Sequence, residues 1–382
     1  MTWETPEEFD LLVKGVRQFV QRELEPAAEA IGRDGTVPER LLTELRRAGY
    51  FGLTIPSQYG GAGLGVIAYC LVQEELAQTH SCFGTLIAGN NGIGSHALLH
   101  FGTEEQKATY VPALARGDVI SAFALTEPNA GSDAEAIETT ARRAGDAFVL
   151  NGRKHFISRA TVADLFTVMA VTDPSARPRR KGITAFLLER GTPGFTVGPA
   201  HRTMGSDVVP AGELIFDECR IPATNVIGEV GEGFRVAMST LSEGRLNVAA
   251  KCIGTARRLL ELSVAYSRQR RQFGRPIGEN QAIQGMLADS VTEIAAGRAL
   301  LYETARRLER GADTRRDSAM VKLFCSELAG RVADRAVQIH GGMGYMQELP
   351  IERMYREVRL WRIVEGTSEI QRLIIARDLL KE

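Results

Sequence analysis

The feature that most constrains the fold is a change of residue pattern near position 119 and a second change near position 226. Between them the chain has short β-rich runs separated by turn residues, among them LFTVMAVT, GITAFLLE and GELIFDECRI. Short runs of this kind favour an antiparallel sheet. On both sides, apolar residues recur at the spacing of amphipathic helices. The sequence therefore predicts a mostly α-helical protein with a middle β domain.

We predict three domains, in the order N-terminal helical domain 1–118, antiparallel β domain 119–226 and C-terminal four-helix bundle 227–382. In the first domain, an amphipathic helix is expected to end at Pro26. The helical patterns of the last domain are longer, and each extends for about seven turns. Together with the segment SEIQRLIIARDLL they predict the bundle.

Composition excludes several classes of protein. The 46 Lys and Arg residues nearly balance the 47 Asp and Glu residues, which argues against a dedicated nucleic-acid binder. Charges interrupt every apolar run short of a bilayer span, so no membrane segment is expected. The five scattered cysteines form no CxxC pair and indicate reduced core residues. The acidic start MTWETPEEFD is unlike a signal peptide, so we expect the bacterial cytoplasm or, less favoured, the mitochondrial matrix.

Three polar motifs are candidates for ligand binding. ALTEPNAGSD, at 124–133, follows a predicted strand and fits either a simple polar turn or a loop whose hydroxyl and N–H groups hold a ligand. RQRRQFG, at 268–274, is either a solvated face or a site for a diphosphate, to which guanidinium groups are suited. QIHGGMGY, at 338–345, has more glycine than a helix cap needs, and bare backbone lets a ligand approach closely.

No metal site is predicted. His96 and His100 in HALLH are four residues apart on a helix, but a zinc protease would need Glu where Ala97 stands. We interpret both histidines as structural.

Five motifs taken together identify a family: FALTEPNAGSD, NGRKHFIS, SRQRRQFGRPIGENQAIQ, AVQIHGGMGY and VEGTSEIQR. In this order and spacing the chain resembles the acyl-CoA dehydrogenase family over essentially its full length. The resemblance implies the three-domain fold predicted above, an FAD cofactor, and oxidation of an acyl-CoA to the trans-2-enoyl-CoA. It also implies an electron-transferring flavoprotein as partner and a homotetramer built as a dimer of dimers.

The resemblance assigns cofactor contacts residue by residue. Within one subunit, the flavin ring would be met by Phe123, Leu125, Thr126, Ser132, Phe156, Ile157, Ser158, Gly366 and Thr367. Residues that would reach the FAD of a neighbouring subunit are Arg270, Phe273, Gln281, Gln338, Gly341 and Gly342. Many relatives carry Trp and Thr where this chain has Phe156 and Ser158, and these replacements keep the aromatic surface and the hydroxyl.

Glu365 matches the catalytic base of the family. The resemblance implies that it takes the α-proton of the thioester while the β-hydride goes to flavin N5, and that its own backbone N–H helps to polarise the carbonyl. A carboxylate in an apolar pocket has a raised pKa, which suits a general base. Residues implied to contact the substrate are Ser132, Ser242, Arg245 and Gly366. Some relatives carry their base just before the arginine that matches Arg245, where this chain has Gly244; the adjacent Glu243 is interpreted as a surface charge.

Two other functions stay open at this stage. A flavin oxidase or monooxygenase can use the same fold, although relatives of that sort often lose the glutamate; a non-catalytic helical scaffold is the third possibility. For the acyl group, the helix with Ser95 and Leu99 would line the far end of the pocket, and Leu99 suggests an apolar tail. A dicarboxylic acyl-CoA would need a cation there, and the motifs identify none.

Overall fold

The computed structural model describes residues 7–205 and 208–381; the first six residues of the acidic start therefore lie outside it. The N-terminal part is helical, with α1 Glu7–Phe19, α2 Ala28–Asp34, α3 Glu39–Arg47, α4 Val66–Leu76, α5 Cys82–Ala88, α6 His96–Phe101 and α7 Glu104–Arg116. Thr103 and Gln106 form a reciprocal cap at the start of α7, and Gly117 ends it in the left-handed conformation.

The prediction that Pro26 ends the first helix is wrong. After α1 the chain passes through a π-helical turn, Val20–Leu24, and a 3₁₀ turn, Glu25–Ala27, directly into α2. Pro26 lies in the first turn of the 3₁₀ segment. Here the backbone hydrogen bonding changes from the π-helical to the 3₁₀ pattern, and this change accommodates a residue that has no N–H to donate.

The middle part is an eight-stranded sheet in the described residues. Its strands are β1 Ser121–Ala124, β2 Thr140–Ala144, β3 Ala147–Ser158, β4 Leu165–Val171, β5 Ile183–Glu189, β6 Phe195–Ala200, β7 Ala211–Pro222 and β8 Val226–Ile227. The order is β6-β7-β3-β2-β4-β5-β8, with β1 paired to β4. Most pairs are antiparallel, as predicted, whereas β1 and β2 each pair with β4 in parallel.

Long helices form the C-terminal part. They are α8 Gly233–Gln269, α9 Gln281–Glu309, α10 Arg315–His340, α11 Gly342–Tyr345, α12 Pro350–Leu360 and α13 Ser368–Leu379, with a small hairpin, β9 Arg271–Gln272 and β10 Arg275–Pro276, after α8. Helix α10 packs against α8, α9, α12 and α13. The fold class predicted from the sequence is confirmed. The domain boundaries at 118/119 and 226/227 stay predictions.

Helix α4 joins the N-terminal and C-terminal parts. Its residues from Ala68 to Leu76 are all buried, so it has no solvent face. Glu74, 1 % exposed, accepts hydrogen bonds from Arg298 and from the Tyr302 hydroxyl of α9, and it pairs with Arg257 of α8. Because a buried carboxylate is stable only when its partners stay in place, this network fixes α4 against α8 and α9.

The cysteines are free and buried, as predicted. In the described part of the chain no helix is long and apolar enough to cross a membrane.

Candidate active site

Glu365 lies in the short connection between α12 and α13, where hydrogen bonds to its backbone fix its position. It has a φ of 53°, which is unusual for a residue other than glycine. The Gln371 side chain donates to the carbonyl oxygens of Glu365 at 3.1 Å and Gly366 at 2.8 Å. The Lys322 ammonium also donates to the Gly366 carbonyl, at 2.7 Å. Thr367 accepts from the Ile370 N–H and caps α13.

The carboxylate of Glu365 is packed against α8. Oε2 is buried and has no hydrogen-bond partner among the described residues. A Cβ atom placed on Gly244 would lie 2.1 Å from Oε2, so only glycine leaves room for the carboxylate at this point of α8. Burial raises the pKa of Glu365, opposed by the positive charges of Lys251, Arg245, Lys322 and Arg159, in that order. A buried, unpaired carboxylate with a raised pKa has the properties of a general base.

The other predicted substrate residues of α8 flank Gly244. Arg245 is 5 % exposed, and its Nε is buried without a hydrogen-bond partner in the described structure. Ser242 donates to the Met238 carbonyl one turn earlier, at 3.0 Å. Because buried donors are nearly always hydrogen-bonded, the unpaired N–H of Arg245 indicates that α8 offers a hydrogen-bond donor to a ligand near the Glu365 carboxylate.

Glu243 is not a free surface charge, contrary to the interpretation from the sequence. It is half-buried and lies 3.0 Å from Nδ1 of His96. The other ring nitrogen of His96 is hydrogen-bonded to Ser239, and the ring stacks on His100 with centroids 4.1 Å apart. The ligand atoms of His96, His100 and Glu243 lie within 4.8 Å of one another, but the hydrogen bonds already occupy both nitrogens of His96. This arrangement agrees with a structural role for the histidines.

A buried ion pair holds the TEPNAGSD loop on the sheet. Lys154 of β3 is fully buried and donates to Glu127 at 2.6 Å and to the Leu125 carbonyl at 3.1 Å. The His155 N–H donates to the Thr126 carbonyl at 2.8 Å. Burial lowers the pKa of Lys154 to about 8, although Glu127 opposes the change. The loop and the end of β3, two of the predicted flavin-binding segments, are therefore brought together.

The end of β3 presents its ring and hydroxyl outward. Phe156 has a φ of 56° and is 63 % exposed, Ser158 is exposed, and Ile157 between them is buried. Phe123 of β1 is half-buried. In the loop that follows β1, Thr126 is half-buried, Leu125 is buried and Ser132 is exposed. An exposed aromatic ring held in a strained backbone conformation is typical of a ligand platform.

The remaining predicted cofactor residues lie on an exposed surface of the C-terminal part. Phe273, at the tip of the β9–β10 hairpin, is 98 % exposed with a φ of 51°. Others that are exposed are Arg270, Gln281, Gln338, Gly341 and Gly342. A Cβ atom on Gly341 or Gly342 would meet nothing within 4 Å. This surface is open in the single chain, which is what contact with a group on another subunit requires.

Comparison with known proteins identifies the family. Models described as the N-terminal, middle and C-terminal domains of acyl-CoA dehydrogenase match residues 6–118, 122–219 and 231–380. The chain belongs to the acyl-CoA dehydrogenase family. It is 42 % identical to an acyl-CoA dehydrogenase of Bacillus subtilis over 97 % of both chains, and 41 % identical to the acryloyl-CoA reductase (NADH) of Anaerotignum propionicum over all of this chain and 96 % of that one.

Solved structures agree with the assignment. Butyryl-CoA dehydrogenase from Megasphaera elsdenii superposes with a TM-score of 0.95 at 37 % identity, with both chains covered completely. A chain from a structure of the electron transferring flavoprotein of Acidaminococcus fermentans, solved in work on flavin-based electron bifurcation, gives 0.96 at 39 % identity, again with full coverage of both chains. This acyl-CoA dehydrogenase is thus an FAD-dependent oxidoreductase.

The residues present fit FAD. The sheet offers an exposed ring at Phe156 beside the hydroxyl of Ser158, and Nδ1 of His155 is buried without a hydrogen-bond partner in the described structure. Exposed arginines around the hairpin suit a diphosphate. Aromatic surface, hydroxyl donors and guanidinium groups are together the chemistry that a flavin and its diphosphate need.

Motif reasoning missed two buried cations, Lys251 and Arg159, although both act electrostatically on Glu365. A signal was present for Lys251, since it interrupts the run of small and apolar residues NVAAKCIG. A lone lysine inside such a run is rarely buried without a reason.

Proposed function

We propose that this enzyme removes the α and β hydrogens of an acyl-CoA thioester to form the trans-2-enoyl-CoA, with Glu365 as the base. The observation that carries the proposal is the buried, unpaired Oε2 of Glu365 held against Gly244. Its raised pKa brings the carboxylate nearer the operating pH, so that it can accept a proton from a weak carbon acid.

The backbone around Glu365 supports the same role. Within the described structure the N–H of Glu365 donates to no acceptor, while the carbonyl oxygens of Glu365 and Gly366 are both occupied. A free N–H beside the base can donate to the thioester oxygen as negative charge develops there. Lys322 and Gln371 act as positioning residues because they fix this turn through its carbonyls. The chemistry that FAD supplies when bound is acceptance of the β-hydride at N5.

We further propose how the chain holds FAD. The loop 123–132 and the end of β3 would hold the isoalloxazine ring, with Gly366 and Thr367 on the side of the base. The exposed set around Arg270 and Phe273, with Gln281, Gln338, Gly341 and Gly342, would contact the FAD of a second subunit. The 98 % exposure of Phe273 supports this, since a fully exposed ring at a hairpin tip is typical of an interface. The proposed assembly is a dimer of dimers.

The proposed electron acceptor is an electron-transferring flavoprotein, as the similarity to a chain from the Acidaminococcus structure suggests. The similarity to an acryloyl-CoA reductase makes reduction of an enoyl-CoA the alternative direction of the same reaction. The bacterial cytoplasm remains the predicted location.

The test is anaerobic mixing of the purified flavoprotein with short acyl-CoAs while the flavin absorbance is followed. We expect the flavin to bleach as the trans-2-enoyl-CoA forms. Turnover should be rapid with a dye or an electron-transferring flavoprotein and slow with oxygen. Rapid oxygen consumption with release of peroxide would favour the oxidase alternative instead.

A further inference from the structure

Lys251 is a buried cation on the same face of α8 as the contact with Glu365. It follows Gly244 by seven residues, which is two helical turns or about 10 Å along the axis. Its side chain is 9 % exposed and forms no ion pair or hydrogen bond with any residue in the described ranges. Burial lowers the pKa of Lys251 to about 8 even though Glu365 opposes the change. An ammonium group in this position has lost water without gaining a partner.

Arg159 approaches the same place from the sheet. It follows β3 with a φ of 65° and is 4 % exposed. Its guanidinium donates to the carbonyls of Ser121 and Thr85, both at 3.1 Å. No carboxylate pairs with it in the described structure, and burial lowers its pKa to about 10. Two neutral carbonyls do not compensate the charge of a buried guanidinium.

Both cations approach the segment 84–89, which consists of most of α5 and the glycine that follows it. A Cβ atom on Gly84 would lie 3.3 Å from Cε of Lys251, and one on Gly89 would lie 2.7 Å from Nε of Arg159. Glycine therefore leaves room for each cation at these two positions. The two glycines are only five residues apart, so the cations lie in the same region, and the charge of Arg159 lowers the pKa of Lys251 as repulsion between two cations does. A second negative charge between them would relieve this repulsion.

Two side-chain oxygens without partners in the described structure lie close to Lys251. The side-chain oxygen of Gln73, on α4, is buried without a partner in the described structure and would lie 2.6 Å from a Cβ atom on Gly84. Asn247, one turn before Lys251 on α8, has a buried unpaired side-chain oxygen as well. Buried polar atoms are nearly always hydrogen-bonded in the state in which a protein works. Both atoms are acceptors, so they need an N–H or O–H donor such as the Lys251 ammonium, and they do not themselves bind an anion.

The buried positive charges near Glu365 outnumber the negative ones, so a ligand bound here should be an anion. Around Glu365 the structure has four buried cations, Lys251, Arg245, Lys322 and Arg159. Among the residues described, Glu365 is the carboxylate whose charge raises the pKa of both Lys251 and Arg159. When Glu365 takes a proton in the reaction, that one negative charge is lost as well. An apolar acyl tail would then leave Lys251 and Arg159 buried with no carboxylate to balance them.

We propose that the acyl group of the substrate carries a carboxylate at its far end, bound by Lys251 and Arg159 between α5 and α8. This inference rests on the proposed function, since it places the thioester at Glu365 and the second carboxylate deeper along α8. The substrate class is a short dicarboxylic acyl-CoA. The apolar tail that Leu99 suggested from the sequence is then not the acyl group that the two cations favour.

The experiment compares matched acyl-CoAs on the wild-type holoenzyme and on variants of Lys251. Succinyl-, glutaryl- and adipyl-CoA are paired with butyryl-, pentanoyl- and hexanoyl-CoA of the same carbon number, and kcat/KM is measured from dye reduction. The variants are Lys251→Met and Lys251→Arg, and Lys14→Met, which removes an exposed lysine of α1, is the control.

The wild type is expected to prefer at least one dicarboxylic acyl-CoA over its neutral counterpart. Lys251→Met should lower kcat/KM for that substrate by at least about 30-fold more than for its neutral counterpart, as for truncation of one partner of a buried charge pair. A change in the charge of Glu365 acts on both substrates alike and cancels in this ratio. Lys251→Arg should recover part of the preference, and Lys14→Met should retain all of it.

Three results would overturn the inference. If the wild type prefers the neutral acyl-CoAs, the inference is refuted without any variant. Flavin bleaching by the neutral acyl-CoAs would in that case still support the proposed function. An equal loss on both classes in Lys251→Met, with a shifted pH profile, would mean that the lysine only sets the charge of Glu365. Absence of bleaching by all six acyl-CoAs would refute the proposed function, and this inference with it.

Discussion

Replacing Gly244 by alanine tests whether the carboxylate of Glu365 is held against α8. The added Cβ would lie 2.1 Å from Oε2, whereas nonbonded heavy atoms settle at roughly 3.5–4.0 Å, so the carboxylate must move by roughly 1.5 Å. A misplacement of about 1 Å in a catalytic group is worth on the order of 10²-fold in rate. We therefore expect flavin reduction in Gly244→Ala to slow by about 10²-fold, with FAD content unchanged.

The assay is stopped-flow measurement of flavin absorbance after anaerobic mixing with an acyl-CoA that reduces the wild type. The matched control is Gly15→Ala on α1, where the new methyl group meets nothing within 4 Å. Reduction of Gly244→Ala at the wild-type rate would refute the packing of Glu365 against α8.

The same contact predicts a transfer of the base. Because the two positions adjoin, Glu365→Gly combined with Gly244→Glu should recover part of the flavin reduction that Glu365→Gly loses. Recovery is measured against the single variant in the same instrument. No gain in the double variant would mean that a carboxylate on α8 cannot reach the α-carbon.

Two further predictions concern the cofactor and stability. Arg270→Ala should lower FAD occupancy, measured by the ratio of flavin to protein absorbance, and full occupancy with unchanged affinity would contradict the shared site. Glu357 on α12 is 3 % exposed, and burial raises its pKa to about 7. The folded state therefore keeps a proton that the unfolded chain releases near pH 4.3. As a result, the free energy of unfolding falls as the pH rises from about 4.5 to 7. Glu357→Gln should therefore raise the free energy of unfolding at pH 8 by up to roughly 3 kcal/mol and change it little at pH 5, as measured by denaturant titration; equal effects at both values would contradict it.

Periodicity was sufficient to predict the fold class because its signals are local. Long helices such as α9 and α10 repeat an apolar spacing over many turns. Strand β2, with the sequence TARRA, was not predicted because three of its five residues are charged or polar and it is mostly exposed. Strand β8 has only two residues. Such strands form because a neighbouring strand offers hydrogen bonds, which no local pattern reveals.

The active site was predicted only where a motif marks it. Glu365 and Gly244 came from the resemblance, and the structure adds that they touch. Lys251 and Arg159 belong to no motif, and they meet only because α5, α8 and the end of β3 pack together. Their unpaired charges depend on tertiary burial, which is not a property of a sequence window.

The most direct test of the central claim is flavin reduction in Glu365→Gln. The amide keeps the size of the side chain and the backbone N–H, and removes only the proton acceptor. FAD content and acyl-CoA binding should remain, while the first-order rate of flavin reduction should fall by about 10²–10⁴-fold, as for a lost general base. A near-normal rate in Glu365→Gln would show that Glu365 is not the base.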